Sequence, residues 1–187
     1  MGAVYDFEEE KLIIGVIYHD ADVLREAMEI LTREFGETDG MCEEFSFSEE
    51  FSNYYDDELG GEGMRRIYSF ARTVDPSMQA QIKQRTNEIE LQFSDCGNRR
   101  INLDPGFINH GRLMLATTKN AGFRIPLSGG IYTELTLFYA RGEWHKLPWT
   151  YRDYQSERVQ SFLTEVRHRY LLARRAVRKE INNKTEE

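Results

Sequence analysis

The apolar positions along the chain alternate between two periods. Residues 11–18 (KLIIGVIY) are a continuous β-branched run, the pattern of a strand buried on both faces and central in its sheet. Leu24, Ala27, Met28, Leu31 and Phe35 then recur at helical spacing, with Asp20 or Asp22 as N-cap and Gly36 as the stop. Residues 43–48 (EEFSFS) alternate as a short edge strand, and the acidic, Gly-rich and aromatic stretch 49–63 reads as a loop. Residues 65–74 (RRIYSFARTV) form a strand with Tyr68, Phe70 and Val74 on one face. Asp75-Pro76 opens a helix whose stripe is Met78, Ile82, Ile89 and Phe93, ending near residues 95–97. In residues 99–104 (RRINLD), Ile101 and Leu103 point one way and Arg100, Asn102 and Asp104 the other.

This β-α-β-β-α-β order is that of a ferredoxin-like split βαβ unit. A helix at about 107–118, strands at 122–127 and 131–139, and a turn at Arg141-Gly142 into 143–147 predict a C-terminal β-meander on the same sheet. Residues 155–181 read as one helix, about 40 Å long at 1.5 Å per residue. Its apolar stripe is Val159, Phe162, Leu163, Val166, Tyr170, Ala173 and Val177, and its second half is densely basic. The expectation is one α+β domain over residues 1–170, with 171–187 as a basic helix extension and disordered tail. A helix that outruns a compact domain suits a homodimer or a docked partner.

With 187 residues, 40% of them hydrophobic, the chain can bury a core without disulfide or metal. The formal net charge of −8 hides a division: residues 1–62 hold 19 Asp and Glu against Lys11, Arg25 and Arg33, a net of −16, and the remainder carries +8. Such a split favours intramolecular pairing, a basic ligand surface, or both. Cys42 and Cys96, without a CxxC, imply neither a disulfide framework nor a thiolate zinc site, and a reducing cytoplasm is the expected location. No run approaches the roughly 18–20 apolar residues of a membrane span, and the acidic first ten residues do not resemble a signal peptide. No membrane association is expected.

Six motifs in order carry a resemblance. They are KLIIGVIY-His19-Asp20, Tyr54-Tyr55-x-x-Glu58-Leu59-Gly60, Asp75-Pro76, Arg100-Ile-Asn-Leu-Asp-Pro-Gly106 with Leu115-Ala-Thr-Thr-Lys119, Gly130-Ile-Tyr-Thr-Glu-Leu-Thr-Leu137, and Trp149-Thr-Tyr-Arg-Asp-Tyr154. Together they resemble the bacterial and archaeal domain-of-unknown-function family 4416 over roughly residues 11–170. In the last motif this chain has Arg152 where the family typically has Pro. The family implies no established activity, although some members bear a GTP-binding label. The residues do not supply P-loop chemistry: there is no G-x-x-x-x-G-K-S/T, and Gly60-Gly61-Glu62-Gly63 lacks the Lys and lies in the acidic third.

The strongest polar constellation is Arg100, Asn102, Lys119 and Arg124 with Asp104 and Glu134. Arg and Lys would hold a phosphate or carboxylate, a guanidinium fork binding such oxygens bidentately. Asp104 and Glu134, with Glu58 as a further oxygen donor, would suit Mg²⁺. A plainer reading stands beside it: Asp104-Pro105 repeats Asp75-Pro76 and would cap a helix, and Glu134 would pair with Arg124 across a hairpin. His19, His110, His145 and His168 form no i, i+4 pair; His110 has the chemistry of a general base, and its plainer reading is a helix-surface residue. Phe51, Tyr54 and Tyr55, and Trp144, Trp149, Tyr151 and Tyr154, are aromatic groups suited to stacking or to pinning the long helix. Three functions follow as expectations. The first is a binder of an anionic small molecule or nucleotide, with a divalent metal; if it is an enzyme, the chemistry would be metal-assisted phosphoryl transfer or hydrolysis. The second is a non-catalytic interaction or oligomerisation module. The third, an RNA-associated protein, is weakened by the lack of an RNP-type aromatic run.

Overall fold

The computed structural model describes residues 2–185, with side chains described through Ala176. Among these residues, nine strands form one sheet in which every pair is antiparallel. They are β1 (Glu10–Tyr18), β2 (Thr38–Met41), β3 (Phe45–Ser46), β4 (Met64–Val74), β5 (Ile101–Ile108), β6 (Arg112–Thr117), β7 (Ile125–Pro126), β8 (Tyr132–Ala140) and β9 (Glu143–Lys146). The order is β2-β4-β1-β5-β6-β8-β7, with β3 also on β4 and β9 on β8. The helices are α1 (Ala21–Phe35), α2 (Phe47–Glu50), α3 (Asp56–Leu59), α4 (Gln79–Gln92) and α5 (Glu157–Thr185). The architecture is α+β, as the periodicities predict.

The continuous apolar run became the central strand: β1 lies between β4 and β5, and every residue of it is buried. Leu12, Ile14, Val16 and Tyr18 pack with Val23, Ala27 and Leu31 of α1 and Ile82 and Ile89 of α4. Ile13 faces the other way, into a second cluster with Ile67, Leu113, Leu137 and the α5 residues Val159, Phe162, Leu163 and Val166. Helices thus cover both faces of the sheet. Asp20 caps α1, its side chain accepting from Asp22 N, and Gly36 ends it at φ 95°. Asp75 caps the short 3₁₀ turn Pro76–Met78 that leads into α4.

Several local expectations are corrected. The stretch 43–48 pairs only at Phe45–Ser46, and the region 49–63 contains α3 and, with Phe47, α2. The strand beginning at Ile101 runs through Asp104-Pro105 to Ile108, so Asp104 caps no helix. The segment expected as a helix at about 107–118 is instead the end of β5, a turn at Asn109–Gly111, and β6. Two placements explain this. Pro105 pairs only with Ile14 of β1, since pairing with β6 begins at Gly106. A Cβ on Gly106 would come within 2.5 Å of Leu115 Cδ2 and 2.9 Å of Met114 O, so glycine lets β6 approach. α5 is longer than expected, reaching Thr185; Ala173 in its stripe is exposed, the side chain of Val177 lies outside the described residues, and Glu186 and Glu187 of the expected tail lie outside them altogether.

The charge division resolves into pairing within the chain. Glu10–Arg112, Asp20–Arg100, Glu34–Arg85, Glu50–Arg158 and Glu58–Arg99 each join the acidic first third to the basic remainder. Among the described residues no helix is long and apolar enough to cross a membrane.

Candidate functional site

Strands β5 and β6 stay paired only from Gly106↔Leu115 to Ile108↔Leu113. Before Gly106, β5 remains on β1, while beyond Leu115, β6 follows β8. The sheet therefore forks. With β6 gone, the backbone of Leu103 needs other partners. Two side chains of α4 supply them: Lys83 Nζ donates to Leu103 O at 2.6 Å, and Leu103 N donates to Glu90 Oε1 at 2.6 Å. Both are buried, at 5% and 3% exposure, which these hydrogen bonds and their ion pairs with each other, Asp104 and Arg99 make tolerable.

A cavity of about 120 Å³ opens at the fork. Asn102 and Asp104 line it from β5, Lys119 from the loop after β6, Glu134 from β8, Lys83 from α4, and Arg65 from β4. Arg99, Tyr55, Tyr151, Asp153 and Tyr154 complete the polar wall. Four cations and three carboxylates thus share one small space.

Arg65 sits at the bottom, 2% exposed. Its Nη1 donates to Asp104 Oδ2 at 3.3 Å, and its Nη2 lies 3.2 Å from both Asp153 Oδ2 and Tyr154 Oη. Gly15 makes this seat, because a Cβ there would stand 2.7 Å from Arg65 Nη2 and 3.1 Å from Tyr154 Oη. Asn102 Nδ2 donates to the same Asp104 Oδ2 at 2.8 Å. Burial raises the Asp153 carboxyl above its ordinary value although the Arg65 charge opposes it. Burial likewise raises the Tyr154 phenol, and pushes Tyr151 up to about 12.

Glu134 is 1% exposed. Its Oε2 accepts from Arg124 Nε at 2.7 Å, and Arg124 is fixed in turn by donating to Lys119 O at 2.7 Å and Tyr151 Oη at 2.8 Å. Burial raises the Glu134 carboxyl; the Arg124 charge and, weakly, the Thr136 hydroxyl oppose that rise. The Thr136 contact falls short of hydrogen-bond geometry, and Glu134 Oε1 and Thr136 Oγ1 are both buried without a hydrogen-bond partner among the described residues. Desolvation with a charged neighbour in a cleft is the pattern that marks functional carboxylates.

At the rim, Arg99 Nε and Nη2 grip Glu58 of α3 at 2.6 and 2.9 Å, while Nη1 donates to Glu90 Oε2 at 2.9 Å and Asn102 Oδ1 at 3.1 Å. The grip holds the Glu58 carboxyl below its ordinary value. Lys119 is exposed; its ammonium lies 5.1 Å from the Tyr54 ring centre and forms no ion pair within 4 Å among the described residues. Phe123 stacks on Trp149 at 4.8 Å just outside.

Of the six residues singled out from sequence, Asn102, Asp104, Lys119 and Glu134 line the cavity, and Arg124 stands directly behind Glu134. Arg100 does not join them: it turns to Asp20 at the α1 N-terminus, 2.5 Å away. Lys119 follows a strand rather than a helix. His110 lies in the β5–β6 turn, exposed and outside the cleft. Arg65, Lys83, Arg99 and Asp153 went unnoticed. For Arg65 a signal existed, since it shares the inward face of its strand with buried Ile67. Among the described residues no group of three or more His, Cys, Asp or Glu side chains is placed to hold a metal ion. At Arg152, φ is −61°, within the range a proline would impose.

The molecule is thus an α+β protein whose antiparallel sheet forks over a cleft lined by both cations and carboxylates. The model of the domain of unknown function DUF4416 matches residues 8–170, and the chain belongs to that family. No curated protein and no solved structure matches it.

Proposed function

We propose that the fork cleft binds the phosphate group of a small ligand, a nucleotide among the candidates, together with a divalent cation. One observation carries this reading: Arg65, Lys83, Arg99 and Lys119 converge with Asp104, Glu134 and Asp153 on one cavity of about 120 Å³. Phosphate alone would be repelled by the carboxylates and a metal alone by the cations; a metal–phosphate pair satisfies both. Asp104 and Glu134 would give Mg²⁺ two carboxylates, the other ligands coming from phosphate and water, a distribution usual for that ion. The volume is below the roughly 300–1,000 Å³ that encloses a drug-sized ligand, so the remainder of the molecule would lie over Tyr54 and Tyr151 at the rim.

The strand order β2-β4-β1-β5, with α1 and α4 on one face, supports a ferredoxin-like origin for the first half. Two free thiols, Cys42 and Cys96, support a reducing compartment such as the cytoplasm. A homodimer through α5 has one observation in its favour: beyond buried Tyr170, Leu172 is 51% exposed. Shortening the chain after Tyr170 tests that reading, and an unchanged native mass refutes it.

The cleft reading is tested by thermal shift with phosphate, pyrophosphate and nucleotides, each with and without Mg²⁺. A ligand at 100 times its Kd adds about 2.7 kcal/mol of stability. The shift should vanish in Lys119→Ala and lose its Mg²⁺ dependence in Asp104→Asn. No shift with any of these ligands, or the same shift in both variants, refutes it.

A further inference from the structure

Arg99 offers five N–H donors in a planar fork. Glu58 takes Nε and one hydrogen of Nη2, and Glu90 and Asn102 take the two of Nη1, leaving a single donor. Yet the guanidinium lines the cavity, in the company of Lys83 and Lys119. Its bidentate grip on Glu58 has the geometry by which Arg holds a phosphate, two parallel N–H···O bonds. Glu58 and Arg99 are only about one-third exposed, at 30% and 32%, and Glu58 is the member free to leave. The Glu90 side chain is 4% exposed and committed to Leu103 N, whereas Glu58 sits on the four-residue α3 and, among the described residues, its carboxylate is hydrogen-bonded to Arg99 alone, with the Lys119 charge nearby.

We propose that Arg99 is an anion seat of the cleft and that Glu58 occupies it as an internal competitor, leaving by a side-chain rotation when a phosphate-bearing ligand arrives. This rests on the cleft reading above and adds to it both a residue and a means of control. Leu59, 5% exposed, anchors α3 while its neighbour swings, so no backbone movement is required. The competition also protects the seat against single-atom anions such as chloride: only a ligand offering two oxygens replaces the fork contacts that Glu58 gives up.

Calorimetric titration of the full chain with pyrophosphate, at fixed ionic strength and with Mg²⁺, tests this. Glu58→Gln should bind about three- to tenfold more tightly, the fold-change equivalent to a partly exposed ion pair, and Arg99→Gln should bind more weakly than wild type. The control is Glu34→Gln. Glu34 is gripped by Arg85 in the same bidentate way, at 2.8 and 2.5 Å, away from the cavity, so its removal should leave affinity unchanged. Equal tightening in Glu58→Gln and Glu34→Gln would reduce the effect to net charge and overturn the inference. Wild-type binding that Lys119→Ala abolishes but Glu58→Gln does not improve would overturn it as well, while leaving the cleft reading intact. Failure of wild type and Glu58→Gln alike to bind pyrophosphate would overturn this inference, and the cleft reading falls with it if phosphate and nucleotides also give no thermal shift.

Discussion

The two faces of β1 share a backbone and differ in what they bury. Leu12, Ile14, Val16 and Tyr18 pack on apolar side chains of α1, α4 and the adjacent strands, with the Tyr18 hydroxyl donating to Glu44. On the opposite face the strand narrows to Gly15, and Arg65 lies over it with Asp104, Asp153 and Tyr154. The first face is an ordinary core, stabilised by the area it removes from water. The second places ions where desolvation costs several kcal/mol each, and their mutual attraction offsets that only where every donor and acceptor is satisfied. Here they are not: Arg65 Nε and Glu134 Oε1 are buried without hydrogen-bond partners among the described residues. The difference teaches that the α1/α4 face is built for stability and the cleft face for something that stability does not require.

Removing a member from each face would break the comparison most severely. Arg65→Met strips buried Asp153 of its cation and leaves Asp104 with only Lys83, 3.8 Å away, at a cost of about 3–5 kcal/mol. Leu12→Ala, a cavity in the plain core, should cost about 2–5 kcal/mol. Urea unfolding at several pH values separates them. The Arg65→Met loss should shrink on acidification, as the stranded carboxylates take up protons, and the Leu12→Ala loss should not. Parallel pH dependence in the two variants would erase the distinction between the faces. A smaller effect, about 1–3 kcal/mol, is expected for Gly15→Ala, whose methyl would push on Arg65 and Tyr154. Unaltered stability there would mean that Arg65 is not seated as described.

Much of the fold is legible in the sequence because the signals are local. The β-branched run of β1, the Asp20 cap and Gly36 stop of α1, and Asp75-Pro76 before α4 each depend on neighbouring residues. Asp104-Pro105 shows where locality fails. The same dipeptide is followed by Gly106-Phe107-Ile108, and the Asp104 carboxylate is claimed by Arg65 and Asn102 rather than by the backbone ahead of it. Asn102, Asp104 and Glu134 are recognisable as polar positions alternating with apolar ones, and Lys119 as a cation at the end of an expected helix. Lys83 was not, because its target is a carbonyl freed by the parting of β5 and β6, a consequence of topology rather than pattern. Glu58 is legible as an oxygen donor, but its pairing with Arg99 is not: 41 residues separate them, and only the folded chain joins them.

Glu134 tests most directly whether the cleft face is charged at the expense of stability. Its carboxyl is raised above the ordinary 4.5 mainly by burial, so from there up to its own value the native protein holds a proton that the unfolded chain has lost. Stability linked to Glu134 is therefore full below about pH 4.5 and declines as pH rises through that window. In Glu134→Gln, Arg124 keeps an amide oxygen, Lys119 O and Tyr151 Oη as acceptors and is not stranded. The decisive measurement is the urea unfolding free energy of Glu134→Gln and wild type at pH 7. We predict that the variant is at least as stable as wild type, with the difference moving in favour of wild type as the pH is lowered towards 4.5. A variant less stable by more than about 1 kcal/mol at neutral pH, the scale of an ordinary stabilising hydrogen bond, would contradict the account.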